Sequence, residues 1–278
     1  LLVTDHGGEH GGGVELSVVA PAHNEEGNVA ALAEQVRAAV EPLGIAWEFV
    51  LVDDGSTDRT RALARELAAH RPWMRVIAMT ATPPGRGNGQ SAAFHAGFRA
   101  ARGRWIAVLD ADLQNDPGDI PGMLGLARRE GADFVQGDRS HARRDNFVRR
   151  RASAVGRWFR RAVLGDTIRD TGCSLRVMRR EIAVRLPLEY RGMHRFIPVT
   201  ARLMGYRVVE MRVNHRPRVA GETKYGNLGI TKRAIPGLID LLAVKWMADR
   251  RRPVDAAEMV SGAAGTQVEP KPGARAGV

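Results

Sequence analysis

Four short apolar runs separated by amphipathic stretches constrain this chain more than any other feature. Leu16 to Ala20 is a β-branched run and reads as a buried strand. Trp47 to Val52, Arg75 to Met79 and Trp105 to Leu109 read as three more. Between them Asn28 to Val40, Thr57 to His70 and Gly89 to Arg102 repeat their apolar residues with helical spacing. Strands that alternate with helices imply parallel strands and an α/β sheet. Ligands of such sheets sit beyond the carboxyl ends of the strands, and the informative residues of this chain fall there.

Three of those ends are polar in the same way. The first strand runs into Pro21-Ala22-His23-Asn24-Glu25-Glu26, the second into Asp53-Asp54-Gly55-Ser56-Thr57-Asp58, and the fourth into Asp110-Ala111-Asp112-Leu113-Gln114. Ser56 or Asp58 alone reads equally well as a helix cap. Three acidic clusters on one sheet edge are costly unless something positive binds there. Asp110 and Asp112 are the sharpest pair. On an extended segment residues two apart point to the same side, so both carboxylates converge on one hard cation with Ala111 turned away. Gln114 adds a neutral oxygen. Oxygen ligands in this number suit Mg²⁺ or Mn²⁺ shared with a diphosphate.

Composition removes several alternatives. The chain has 278 residues, long enough to bury a sizeable core, with an ordinary apolar and charged content. Its single cysteine, Cys173, excludes a disulfide scaffold and a cysteine zinc cluster. Lys and Arg outnumber Asp and Glu by 42 to 31, a net charge of +11 that favours an anionic partner. A nucleic-acid binder is the non-enzymatic candidate for that charge. Aromatics are only 5% and no binding motif is present, so no stacking platform supports it. Residues 1–14 are glycine-rich and read as a disordered leader, and 253–278 as a loose tail. No secretory signal or clean membrane span is visible; Ile235 to Met247 is broken by Pro236, Asp240 and Lys245. The chain is therefore expected in the reducing cytosol.

Taken together, Pro21…Asn24-Glu25, Val52-Asp53-Asp54-Gly55-Ser56 and Asp110-Ala111-Asp112-Leu113-Gln114 resemble the family 2 glycosyltransferases of the GT-A fold. Gly137-Asp138-Arg139, Asp170-Thr171-Gly172-Cys173 and the run Arg218-Val219-Ala220-Gly221-Glu222-Thr223-Lys224-Tyr225 look like the dolichyl- or polyprenyl-phosphate sugar synthase branch. The resemblance covers residues 15–226 and implies a GT-A domain there, with a mostly parallel central sheet. A Q-x-x-R-W motif of processive polysaccharide synthases is absent.

The resemblance also implies roles. Pro21, Asn24, Glu25, Asp53, Asp54, Ser56 and Asp110 would hold the nucleotide sugar, with Glu25 at the ribose and Asp53 facing the base. Asp110, Asp112 and Gln114 would hold Mg²⁺ or Mn²⁺ on the donor diphosphate. Arg139, Arg149 and Ser153 would hold the acceptor phosphate. Arg218 and Lys224 would neutralise phosphate charge as catalytic residues. Cys173 and Gly87-Asn88-Gly89 depart from the branch pattern, which leaves UDP and GDP both open as the donor nucleotide. Asp170 stands where a catalytic base is proposed. A phosphate monoester loses its second proton near pH 6, at about the acidity quoted for protein phosphates, so such an acceptor needs little help from a base. Asp170 then orients the acceptor, takes a residual proton, or caps the turn before Gly172.

Two segments point to a membrane surface. Residues 146–163 read as a helix with Val148, Ala152, Val155, Phe159 and Ala162 in a stripe and Arg149, Arg150, Arg151, Arg157, Arg160 and Arg161 crowding the rest. Residues 227–252 read as amphipathic helix ending in Arg250-Arg251-Arg252, with Trp246 suited to the interface. A solvated helix on a basic protein is the alternative for the first, and packing on the core for the second. Met193-His194-Arg195-Phe196 reads as the start of a helix lining the acceptor side, with His194 structural and contact to a phosphate as its alternative. The expectation is an inverting transferase moving a sugar from a nucleotide diphosphate to a polyprenyl phosphate, bound peripherally to an anionic cytoplasmic membrane face. A GT-A transferase with a soluble hydroxyl acceptor is the enzymatic alternative.

Overall fold

The computed structural model describes residues 13–83, 86–141, 147–216 and 229–252, without the side chains of 147–155 and 229–235. The leader, except its last two residues, and the tail lie outside these residues, as do Arg218, Lys224 and the side chains of Arg149 and Ser153.

The elements in order are β1 (Leu16–Ala22), α1 (Val29–Val40), β2 (Trp47–Asp53), α2 (Thr60–Ala69), β3 (Met74–Ala78), α3 (Gln90–Ala100), β4 (Trp105–Val108), α4 (Ile120–Glu130), β5 (Phe134–Asp138), α5 (Phe147–Leu164), β6 (Arg176–Arg179), α6 (Arg180–Ala183), α7 (Ile197–Leu203), β7 (Val208–Arg212) and α8 (Gly229–Arg250). All four expected strands and the helices between them are present, with boundaries shifted by a few residues. Three further strands complete a seven-stranded sheet in the order β3-β2-β1-β4-β6-β5-β7. Its pairs are parallel except those made by β6, which runs antiparallel to β4 and β5.

The central strands β1, β2 and β4 are buried on both faces, which is why they read as continuous apolar runs. Alternate residues feed two cores. Leu16, Val18, Ala20, Phe49, Leu51, Trp105 and Ala107 pack beneath α1 and α4. Val19, Val50, Val52, Ile106 and Val108 pack against Phe94 and Phe98 of α3. Each fully buried side chain of this size stabilises the fold by about 1.5–3 kcal/mol before entropy is counted.

The order of the strands places the site. From β1 the chain moves outward through β2 and β3, then crosses back to add β4 on the other side of β1. The crevice opens at such a reversal, beyond the carboxyl ends of β1 and β4. Val19 pairs with Val108, so Asp110 stands level with Pro21.

Helices α5 and α8 pack on each other. Leu241 and Val244 of α8 are buried in the second core, whereas Leu238, Ile239, Leu242 and Trp246 are exposed. The helix therefore combines core packing with an exposed apolar face. In α5, Trp158 and Phe159 face outward, and Arg160, expected among the surface arginines, turns in to pair with Asp166 at 3.1 Å and to donate to the Thr171 hydroxyl. Among the described residues no helix is long and apolar enough to cross a membrane.

Candidate active site

The exits of β1, β2 and β4 and the first turn of α3 surround a cleft of about 570 Å³. Pro21, Asn24, Glu25, Asp54, Asp110 and Asp112 of the expected set line it, joined by His23, Arg86, Gly87, Gly89 and Gln90. Asp53, Ser56 and Gln114 are not among its lining residues.

Asn24 adopts a left-handed backbone (φ 56°), which turns its side chain back toward the β2 exit. Its Oδ1 accepts the Thr57 amide at 2.8 Å, and its own amide donates to Ser56 Oγ at 3.0 Å. Glu25 is fixed by its amide on Thr60 Oγ1 and by the Asn28 side chain on Oε2, 2.8 and 2.7 Å away. His23 donates from Nδ1 to the Asp54 carbonyl at 2.8 Å. These bonds cross-link the two strand exits into one wall. Ser56 serves that wall. Asp53 is fully buried, accepts the Ser56 amide at 3.2 Å and pairs with Arg61 at 2.5 Å.

Asp54 forms the second wall. Its two oxygens accept the amides of Asn88 and Gly89 at 2.9 and 2.7 Å. Gly87 makes this approach possible, because a Cβ there would collide with the Asp54 carboxylate. The departure at Gly87-Asn88-Gly89 is thus a loop built around Asp54.

The third wall holds the two aspartates, and here one expectation is corrected. Asp110 to Leu113 is a turn rather than an extended segment: Leu113 is left-handed (φ 62°), and Asp112 Oδ1 accepts the Gln114 amide at 3.2 Å. Ala111 borders the cleft, but its side chain is buried in the first core, turned away from the carboxylates as expected. The turn, not strand alternation, brings the carboxylates together. Asp110 accepts from Gln90 Nε2 at 2.6 Å and from the Ser174 hydroxyl. Burial raises its proton affinity, the Ser174 hydroxyl lowers it, and the Asp112 charge raises it again; the net displacement is upward. A divalent cation would relieve that crowding. Two carboxylates with no third His, Cys, Asp or Glu grouped beside them among the described residues fit a hard cation completed by phosphate oxygens and water.

Beside this wall, Arg139 and Asp170 meet. Asp170 Oδ2 accepts the Arg139 amide at 3.2 Å and its Nε at 2.9 Å, and Oδ1 accepts the Gly172 amide at 3.2 Å. Ser174, in the same short segment as Asp170, donates its hydroxyl to Asp110, so the pair borders the aspartate turn. Cys173 is fully buried and its thiol is pushed up by burial to about 11, so this departure does not face a ligand. His194 bonds Ser91 Oγ through Nδ1 at 2.8 Å and is pushed down by burial to about 3, a neutral structural histidine as expected. It belongs to the short 3₁₀ turn Met193–Arg195 that leads into α7.

Sequence reasoning passed over His23, Arg86, Gln90 and Ser174. The position of Gln90, directly after the glycine loop and at the start of a helix, was the available signal.

The comparisons with known proteins agree with this geometry. A family model described as Glycosyl transferase family 2 matches residues 17–186. The chain is 38% identical over 244 residues to a dodecaprenyl-phosphate galacturonate synthase of Rhizobium johnstonii, covering 86% of this chain and 69% of that protein. It is 38% identical over 211 residues to an undecaprenyl-phosphate 4-deoxy-4-formamido-L-arabinose transferase of Edwardsiella ictaluri, covering 76% of this chain and 63% of that one. Among solved structures, glucosyl-3-phosphoglycerate synthase from Mycobacterium tuberculosis, in complex with Mn²⁺, UDP-glucose and phosphoglyceric acid, shares the fold with a TM-score of 0.58 at 21% identity, covering 83% of this chain and 80% of that one. A mannosyltransferase from Pyrobaculum calidifontis, in complex with GDP-mannose and Mn²⁺, gives 0.56 at 17% identity, covering 85% and 70%. With its GT-A-like sheet, its cleft at the β1/β4 reversal and a family match over most of the domain, the chain belongs to glycosyl transferase family 2.

Proposed function

We propose that this chain is an inverting glycosyltransferase that moves a sugar from a UDP- or GDP-linked donor to a polyprenyl phosphate. The observation that carries the reading is the Asp110–Asp112 turn tied by the Ser174 hydroxyl to the segment that holds the Arg139–Asp170 pair. An anionic donor and an anionic acceptor each find a site of suitable chemistry there, and their neighbourhood is what a direct displacement needs. The prenyl-phosphate acceptors in the names of the sequence relatives support the choice of acceptor.

In this reading Glu25 binds the ribose, and Asp53 and Ser56 support the base end of the cleft. Pro21, Asn24 and Asp54 shape the walls. Asp110 and Asp112 hold the divalent cation, Mg²⁺ or Mn²⁺, with Gln114 fixing the turn through its amide. When bound, the ion stabilises charge on the departing diphosphate. Arg139 binds the acceptor phosphate, oriented by Asp170, and a phosphate oxygen displaces the nucleoside diphosphate at the anomeric carbon with inversion. Arg149 and Ser153 belong to α5, which Arg160 ties to the Thr171 hydroxyl next to Asp170, and they are proposed for the same phosphate. The described chain reaches Arg216, whose amide donates to the Gln114 carbonyl at 2.9 Å; Arg218 follows two residues later, and with Lys224 is proposed to neutralise the donor phosphates.

The exposed apolar residues of α5 and α8 fit peripheral attachment to an anionic membrane on the cytoplasmic side. Trp158, Ile239 and Trp246 are 64, 61 and 57% exposed, beside Arg157, Arg161 and Arg250 to Arg252. Aromatic and basic side chains together favour the lipid interface. The test is a screen of UDP- and GDP-sugars with the purified chain, Mg²⁺ or Mn²⁺ and a polyprenyl phosphate, with products identified by mass spectrometry. A glycosyl phosphate lipid supports the reading; turnover of a donor only with a soluble hydroxyl acceptor overturns it.

A further inference from the structure

The turn that carries Asp170 is held from beneath by a buried cross-strand pair. Gln136 of β5 lies opposite Arg176 of β6 in the sheet register. Both are buried, at 0 and 2% exposure, positions where polar residues need complete hydrogen bonding. Arg176 Nε donates to Gln136 Oε1 at 3.0 Å. Gln136 Nε2 donates to the carbonyls of Asp170 and Cys173 at 3.1 and 3.0 Å, and Arg176 Nη2 donates to the Thr171 carbonyl at 3.1 Å. Three carbonyls of one short turn thus point inward at two side chains, while the Asp170 carboxylate points the other way, to Arg139.

The arrangement is expensive for a merely structural element. Arg176 Nη1 is buried and has no hydrogen-bond partner among the described residues. Buried charge can often be replaced by well-packed apolar side chains at no loss of stability. What apolar residues could not do is fix the three carbonyls. Gly137 adds a second sign of close fitting: a Cβ there would lie 2.7 Å from the Leu175 carbonyl and 2.9 Å from Cys173 Sγ. The chain is drawn tight where β5 ends at Asp138 and leads into Arg139.

We propose that Gln136 and Arg176 are positioning residues that hold the 170–173 turn so that Asp170 presents Arg139 to the acceptor phosphate. The proposal rests on the reading of Arg139 and Asp170 as the acceptor site. Gln136 and Arg176 touch no substrate in it. They set the height and direction of the Asp170 backbone, and through its carboxylate the direction of the guanidinium.

Gln136→Met keeps the side-chain length and removes the donors; Arg176→Met removes the guanidinium and leaves a shorter apolar chain, and Arg176→Lys keeps the charge with a single donor group. Hydrogen exchange followed by mass spectrometry reads the turn without any substrate. Amides of 168–176 in both Met variants are expected to exchange about tenfold faster, the effect of losing one or two buried hydrogen bonds, with β1 and β2 unchanged. Acceptor KM is expected to rise about tenfold while kcat changes by less than about threefold. Arg176→Lys should recover part of both effects. Affinity for UDP and GDP with Mn²⁺ should stay at the wild-type value. Unchanged exchange in 168–176 overturns the proposal. So does exchange that rises equally in β1 and β2, or nucleotide affinity that falls in step with acceptor KM, since either makes the pair a general folding element. A wild-type chain that fails to glycosylate polyprenyl phosphate defeats the acceptor reading instead, and the exchange measurement separates that result from failure of the clamp.

Discussion

The side-chain amide of Gln90 donates to Oδ1 of Asp110 across 2.6 Å, tying the first turn of α3 to the exit of β4. With the Ser174 hydroxyl on Oδ2, it leaves the Asp110 carboxylate one orientation. With Asp110 as the proposed metal ligand, groups that orient a ligand matter about 10–100-fold to metal affinity or activity. Gln90→Leu is therefore expected to raise the Mn²⁺ concentration needed for half-maximal rate by about that factor. Asp112→Asn, which removes a charge from the turn itself, should abolish most turnover with the melting temperature nearly unchanged. A Mn²⁺ titration of initial rates checks both, and normal activity of Asp112→Asn in chelator would sink the metal assignment.

Asp170 holds Arg139 at 2.9 Å and also accepts two backbone amides. An asparagine there cannot offer two anionic oxygens to that set. Asp170→Asn should lower kcat/KM for the acceptor by about 10–100-fold, the scale of one or two charge-assisted hydrogen bonds. Any part of the loss due to a residual proton transfer should shrink from pH 6 to pH 8 as the phosphate monoester ionises, and the part due to orienting Arg139 should persist at pH 8. Rates of both proteins across that range test this. A uniform, near-complete loss would identify an obligatory base and favour a hydroxyl acceptor.

Glu48 sits at the opposite end of the sheet and gives a stability prediction. Burial alone would raise its proton affinity. The Ser17 hydroxyl at 2.7 Å, Arg75 at 2.8 Å and the Arg102 amide at 2.7 Å outweigh burial and hold the carboxyl below its ordinary value. A group depressed on folding contributes stability that is fully present above its unfolded value of 4.5 and is lost as pH falls through the folded value. Glu48→Gln should cost about 1–3 kcal/mol at neutral pH. The gap between the two proteins should close in acid below that unfolded value. Urea denaturation at pH 7 and in acid measures the gap, and a gap that widens in acid would contradict the assignment.

Ile239→Asp and Trp246→Ala alter the exposed face of α8 and leave the buried Leu241 and Val244 in place. Both should weaken flotation with anionic liposomes while nucleotide binding persists. Salt should weaken the wild type as well, since surface charge is screened within about 10 Å at 0.1 M. Equal flotation of wild type and variants would remove this face from the membrane account.

The parts legible in the sequence were those whose burial and periodicity agree. Leu16 to Ala20 and Trp105 to Leu109 are apolar on both faces and stood out as strands, and their polar exits marked the cleft. β5 and β6 did not, because Gln136 and Arg176 interrupt short runs; a polar pair that satisfies itself inside a sheet looks like surface when read one strand at a time. Arg160 misled for the same reason: it sits among the arginines of α5, but its partners Asp166 and Thr171 lie beyond the end of the helix. Asp110 and Asp112 stand out by their acidity and line the cleft, but an extended backbone is the wrong expectation for them, since the left-handed Leu113 carries no local glycine signal. Asp54 read as a ligand candidate, and lines the cleft while both its oxygens hold the Asn88 and Gly89 amides.

The central claim is that the acceptor is a lipid phosphate. It is tested most directly by comparing a polyprenyl phosphate with the matching free polyprenol, at saturating donor and Mn²⁺, with products weighed by mass spectrometry. The expected result is a lipid heavier by one glycosyl residue from the phosphate alone, with no product from the alcohol and none from either lipid with Asp112→Asn. Glycosylation of the alcohol at a comparable rate, or of a soluble hydroxyl acceptor while the lipid phosphate stays untouched, would contradict it.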